Sequence, residues 1–372
     1  MKRILIPGSV SILMIAAIIS GCASTGPKTI PRDRFNYATA ISESWKAQML
    51  LNMVSIRYGD VPVFLDVTSI VNQYQWEGRA NLDAAYSGTN SSSVLQGDST
   101  GVGIGVGGTY IDRPTISYTP IIGEEFTKSI MTPIPPVSIF YLIQSGWSVD
   151  FVMSTCVQSI NGIYNRNARQ DAVQPADPDF DQLMSVMRDI QEDRLMDLRI
   201  RESMNGEWGD EGQTVIIFAK PHLSLDDFEK LHELQDLLGL PKYQREFRFV
   251  YGSIPEKDDE VAILTRSMLD IMSELASEIQ VPEEHILEGR VSTGVVYTEE
   301  APGSEMPLIS VQSGAEKPGE NIFVSAEYND YWYWIDERDL PSKRVFTFLV
   351  LLFTLAQSGL QGVSPVLTIS TG

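Results

Sequence analysis

The chain has 372 residues, 43% of them hydrophobic, and its 49 acidic side chains outnumber 28 lysines and arginines to leave a net charge of −21. That length holds two or three domains. That charge repels phosphate backbones and anionic headgroups, which excludes nucleic acid as a partner.

Lys2 and Arg3 precede an apolar stretch at residues 10–19. The stretch is half the ~20 residues that a spanning helix needs, so it reads as the core of a secretory signal. It ends in Ile19-Ser20-Gly21-Cys22, which resembles the lipobox of bacterial envelope lipoproteins. The resemblance implies a diacylglyceryl thioether on Cys22, cleavage just before it and acylation of the new amine. Each buried methylene of such an anchor contributes ~0.8 kcal/mol, so the attachment is permanent in effect. Ala23 stands where an inner-membrane retention signal would carry Asp, which implies the outer membrane, facing the periplasm or the surface. The alternative is an ordinary cleaved signal with an incidental cysteine. The resemblance covers only the first 25 or so residues and implies a place, not an activity. Cleavage would remove two basic residues and no acid, leaving 26 cations against 49 acids. With Cys22 acylated, Cys156 has no thiol to pair with, and it sits in an apolar stripe at helical spacing as a buried, inert group.

A short tether with Pro27 and Pro31 leads to a helix with Ile41, Trp45, Met49, Met53 and Ile56 on one face, stopped by Gly59 and Pro62. A long period-two pattern follows. Tyr74, Trp76, Gly78, Ala80, Leu82, Ala84 and Tyr86 alternate with Gln75, Glu77, Arg79, Asn81 and Asp83. The alternation resumes after a polar loop with Val102, Ile104, Val106, Gly108 and Tyr110, then Ile116 and Tyr118. Gly103, Gly105 and Gly108 spell the dinucleotide-binding fingerprint, but they lie inside a strand and open no helix, so they hold no phosphate.

Residues 136–163 read as a helical pair, the first helix closed by Ser145-Gly146 and the second capped by Ser148. A helix starts at Asp179 with Phe180, Leu183, Met184, Met187 and Ile190 inward. Strands follow at Met196, Leu198 and Ile200, and at residues 214–219. Ser224 and Asp227 form a capping box for a helix that stops at Gly239. A strand carries Phe247, Phe249 and Tyr251, and a long helix presents Val261, Leu264, Met268, Ile271, Met272, Leu275 and Ile279. One short strand is expected at 308–311. Asn329-Asp330 turns an aromatic hairpin, residues 345–356 form a buried helix, and 366–369 form a last strand. The expected class is α+β: antiparallel or mixed sheets in layers with packed helices, including a long amphipathic β-hairpin. Its divisions are a signal peptide (1–21), a tether (22–35), a segment with helix, hairpin and helical pair (36–163), a linker (164–178), an α+β domain (179–300) and a closing segment (301–372).

No catalytic set stands out. His232-Glu233 begins like a zinc-protease motif, but Asp236 occupies the place of the second histidine, and His222 and His285 lie apart. The pairs Glu124/Glu125 and Glu283/Glu284 could serve a glycan hydrolase, although acids this frequent pair by chance. No metal and no cofactor are expected. Trp332 and Trp334 share one face of the aromatic hairpin, and Tyr331 and Tyr333 the other. They are candidates for ligand or partner contact, with burial on both sides the favoured alternative. The aromatics Tyr74, Trp76, Tyr86, Tyr110 and Tyr118 are the candidates for a membrane-entering hairpin. The primary expectation is therefore an outer-membrane-anchored, non-enzymatic structural or adaptor lipoprotein that binds an envelope protein or its own copies. A pore or secretion-channel subunit, formed through the 70–118 hairpin, is the alternative, and a glycan-active hydrolase ranks below both.

Overall fold

The computed structural model describes residues 26–71, 74–86, 100–121, 123–169, 172–201, 213–218, 223–242, 244–294 and 307–358. The signal segment, Cys22, His222 and the strand expected at 366–369 lie outside them. The architecture is α+β, with antiparallel and mixed sheets. The chain forms two units, one of Met1–Glu43 and Leu65–Pro120, the other of Ser44–Phe64 and Ile121–Gly372. Helix α1 (Gly26–Arg57) contributes to both. It starts inside the segment expected to be an irregular tether, and carries Pro31 at the expense of one intrahelical hydrogen bond.

The first unit is dominated by a two-stranded ribbon. Strand β1 (Phe64–Val71) pairs with β4 (Thr115–Ile121), and β2 (Tyr74–Tyr86) pairs antiparallel with β3 (Thr100–Asp112). The fingerprint glycines lie in mid-strand, Gly103 opposite Asp83 and Gly105 opposite Asn81, where no helix N-terminus exists to face a phosphate. Thr68 Oγ1 donates to Ser117 O at 3.2 Å and lies 3.4 Å from Thr119 Oγ1.

In the second unit, helices α2 (Glu124–Met131), α3 (Pro136–Gln144) and α4 (Val149–Cys156) lead into β5 (Val157–Ile160) and β6 (Ile163–Tyr164). The helical pair therefore ends earlier than its apolar pattern predicts, because Val157 to Ile160 join a sheet. Ser148 stands at the N-cap of α4, but its hydroxyl donates to Asp150 instead of accepting from the helix. A small hairpin, β7 (Asn167–Arg169) and β8 (Ala172–Gln174), occupies the expected linker. Then come α5 (Pro178–Glu192), β9 (Met196–Arg201), β10 (Gln213–Phe218), α6 (Leu225–Leu237), β11 (Glu246–Tyr251) and β12 (Glu260–Thr265). Phe180, Leu183, Met184, Met187 and Ile190 are the buried face of α5, as their spacing predicts.

These strands form a six-stranded sheet in the order β6-β5-β12-β11-β10-β9, antiparallel except for the parallel pair β11–β12. Strand β12 corrects the sequence reading, which ran one helix through Val261 and Leu264 to Ile279. The helix α7 spans only Met268–Ala276. Ser267 Oγ accepts from Asp270 N at 3.1 Å, and the Asp270 carboxylate accepts from Ser267 N at 3.0 Å, so a capping box starts the helix there. The Val-Ala-Ile run before it is buried on both sides of a central strand, and such a run carries no period of its own.

The chain closes with α8 (Glu283–Leu287), β13 (Gln312–Gly314), β14 (Ile322–Tyr328), β15 (Tyr331–Asp336) and α9 (Leu340–Ser358). The strand expected at 308–311 forms instead at Gln312–Gly314, with Ile309 and Val311 fully buried beside it. Among the described residues no helix is long and apolar enough to cross a membrane. A buried ion cluster ties α7 to its surroundings. Arg166 Nε donates to Glu274 at 2.6 Å and its guanidinium also pairs with Glu278. Glu278 in turn accepts from Ile309 N at 2.8 Å.

Candidate functional site

The ribbon brings four of the five membrane-hairpin candidates into one ladder. Trp76 is the register partner of Tyr110, Tyr74 that of Asp112, and Tyr86 that of Thr100. Between those aromatic ends, Gly78 pairs with Gly108, Ala80 with Val106, Leu82 with Ile104 and Ala84 with Val102. Glu77, Arg79, Asn81 and Asp83 pair with Thr109, Gly107, Gly105 and Gly103. Directly opposite residues in an antiparallel pair share a face, so the alternations of the two strands are in phase. A slip of one residue would have mixed them. Among the described residues neither β2 nor β3 has another neighbouring strand, so each presents a bare edge of 13 residues. Tyr118, the fifth candidate, lies on β4 and is 58% exposed, close to Ile116 at 39%.

The entry to β1 is held in the second unit. Asn52 of α1 donates from Nδ2 to Val63 O at 2.9 Å and accepts from Val63 N at 2.8 Å. One side-chain amide thereby does what a neighbouring strand would do for that peptide unit. Phe64 follows, fully buried, stacked 4.2 Å from Phe353 and edge-on to Phe126 at 5.8 Å. Asn52 and Val63 are eleven residues apart. A lone Asn on an apolar helix face was the only trace of this clamp in the sequence.

No protein-family model, curated protein or solved structure matches the chain. What it does must therefore be read from its own geometry.

The aromatic hairpin is as predicted in its turn, with Asn329 and Asp330 both at positive φ (50° and 66°), the backbone of a type I′ turn. Its two faces differ. Tyr333 and Ile335 are fully buried. Tyr333 Oη lies 2.7 Å from Tyr58 Oη, which in turn lies 2.7 Å from His285 Nδ1. Tyr331 donates to Glu284, and Tyr328 to Asp60. Burial pushes up the Tyr58 and Tyr333 hydroxyls. It also pushes Tyr328 up to about 12, with the Asp60 carboxylate adding to the effect. Tyr331, on the same face, is only half-buried and its bond to Glu284 is exposed, whereas Tyr333 is fully buried within a hydrogen-bonded network. Its other members, Tyr58 and His285, lie 275 and 48 residues from Tyr333, beyond any local sequence signal.

Trp332 and Trp334 occupy the opposite face of β15 and are half-buried; neither packs against the hydrophobic core. The remaining chemistry candidates stand apart. Burial pushes the Cys156 thiol up to about 12, which keeps it protonated and inert. Among the described residues no group of His, Cys, Asp and Glu has metal-binding geometry. His232 instead lines an open acidic groove between α5 and α6 with Asp179, Glu229 and Asp236.

Proposed function

We propose that this is an outer-membrane-anchored lipoprotein of the bacterial envelope whose ribbon pairs with the ribbons of other copies to line an oligomeric transmembrane barrel. The observation that carries the reading is the in-phase register of β2 and β3, apolar partners bracketed by Trp76/Tyr110 at one end and Tyr86 at the other. From Trp76 to Tyr86 the strand rises roughly 33 Å at ~3.3 Å per residue. Tilted by ~40°, that is about 25 Å of height, the apolar belt of an outer-membrane barrel. A lone two-stranded ribbon is marginal in water, and its open edges are not tolerated in lipid. Copies laid edge to edge satisfy both constraints, since each adds two strands and the last closes on the first. The anchor on Cys22 holds the copies in one plane, where pairing needs only lateral diffusion.

The adaptor reading keeps the anchor but leaves the ribbon in water, paired with an envelope partner. Fluorescence separates the two. Wild type and Trp76→Phe are reconstituted in vesicles of brominated and unbrominated lipid, and the Trp76 contribution is taken by difference. Barrel formation requires that this contribution be quenched and that an oligomer resist SDS. An unquenched Trp76 removes the barrel. Mass spectrometry of the natural protein tests the anchor separately, through the acyl mass on residue 22.

A further inference from the structure

We infer that the amino-terminal half of α1 lies on the bilayer surface, its apolar face against the lipid and its basic residues among anionic headgroups. This rests on the Cys22 anchor and does not depend on the ribbon entering a membrane. Helix α1 has two parts. From Trp45 onward it joins the core: the Trp45 ring stands 5.9 Å from that of Phe353, and Met49, Leu50, Met53 and Val54 are fully buried. From Ile30 to Ser44 no residue is buried. The face that Met53, Met49 and Trp45 give to the core nevertheless continues, at spacings of three and four, through Ile41, Ala38, Arg34 and Ile30. Phe35 follows Arg34 at the edge of that stripe. Ile30 is 61% exposed and Phe35 74%. A solitary helical stretch of this length, carrying Pro31, is marginal in water. Covering its apolar face stabilises it.

Two observations name the cover. The first is reach. Helix α1 begins at Gly26, four residues after Cys22. Four residues span at most about 14 Å when fully extended, so an acylated Cys22 keeps the start of α1 within that distance of the bilayer. The second is charge. Residues 26–41 hold Lys28, Arg32 and Arg34 against a single acid, Asp33, which pairs with Arg32 at 2.9 Å. The segment beside the anchor is therefore basic on a chain of net charge −21. Salt screens exposed charges beyond ~8 Å, so at the lipid the local charge decides and the acids of the body do not. Exposed apolar side chains among cations, tied to an acyl anchor, are what an interfacial helix presents to an anionic bilayer.

The test uses the acylated full chain reconstituted in vesicles. With Cys22 blocked by its thioether and Cys156 buried, Phe35→Cys supplies the one reactive thiol, which is labelled with nitrobenzoxadiazole. Asn36→Cys, at an exposed position about 100° further round the helix, is the control. In vesicles of phosphatidylethanolamine and phosphatidylglycerol, nitroxide-bearing lipid should quench the label at position 35 about threefold more strongly than at position 36. In phosphatidylcholine alone, or with Lys28→Glu and Arg34→Glu combined, quenching at position 35 should fall by about twofold or more. The intact mass of the same sample reports the acyl chains. An acylated protein whose two labels are quenched alike overturns this inference and leaves the anchor standing, whereas a sample without acyl chains overturns both. A label at position 35 that is shielded from water but untouched by lipid nitroxide assigns the face to a protein instead. Indifference to lipid charge and to the charge reversals removes the headgroup contact. Either result also overturns the inference.

Discussion

Replacing Asn52 with alanine removes both hydrogen bonds to the Val63 peptide, at 2.9 and 2.8 Å, and offers nothing in return. A hydrogen bond of this kind contributes about 1 kcal/mol net, so the pair accounts for about 2 kcal/mol. For a unit of more than 150 residues that corresponds to a fall of roughly 4–8 °C in melting temperature. Asn52 itself is 3% exposed, so water does not replace the amide from the helix side. Asn52→Asp sharpens the test. Its carboxylate still accepts from Val63 N but faces Val63 O with a second acceptor, in a site that disfavours charge. At neutral pH the aspartate variant should therefore melt below the alanine variant, and acidification should narrow the gap because a protonated carboxyl can donate to Val63 O. Circular dichroism follows the melts, and hydrogen exchange at the Val63 amide reports the clamp directly. If Asn52→Ala left both the melting temperature and that exchange rate unchanged, the clamp would be an incidental contact and the reasoning would fail.

Three further outcomes are expected. Tyr58, Tyr328 and Tyr333 all hold their protons more tightly than a free tyrosine, whose pKa is 10.0. Their contribution is present in full below pH 10 and is lost as pH rises through the folded values, about 12 for Tyr328, so alkaline unfolding should set in between pH 10 and 12. Tyr328→Phe should flatten that dependence in a pH series of melts. Arg166→Met should destabilise by roughly 3–5 kcal/mol, because it removes the guanidinium that bonds both buried Glu274 and Glu278 and leaves Arg266, 3.8 Å from Glu274, facing two carboxylates, and denaturant titration measures it. Leu82→Lys, in the apolar set of β2, should abolish the SDS-resistant oligomer at about 2–4 kcal/mol per copy, whereas Asn81→Lys, in the polar set, should spare it.

Elements with a strong local signature were legible in the sequence. The ribbon strands followed from alternation, α6 from the Ser224/Asp227 box, which forms with a 3.1 Å bond from Asp227 N, and the type I′ turn from Asn329-Asp330. The failures share a cause. Residues 261–264 form an unbroken apolar run, and Val157 and Ile160 prolong the helical spacing of the apolar residues in Val149–Cys156, so in both places the apolar pattern fits a helix as well as a strand. The Ser267/Asp270 box inside the apolar run was the one local clue that separated β12 from α7. Of the sites, the aromatic pairs on the ribbon and hairpin were visible in advance. The partners that give them meaning were not, since His285, Tyr58 and Gly314 meet them only through the fold.

The even offset between β2 and β3 makes the ribbon sensitive to arithmetic. Deleting a single codon from either leg would turn every later residue of that leg over, setting leucine where aspartate had been, while the same deletion made in residues 87–99 would leave both legs unaltered. Natural length variation should therefore collect in that connecting stretch, and a reading-frame-preserving deletion scan would show it as a tolerant window between two intolerant ones.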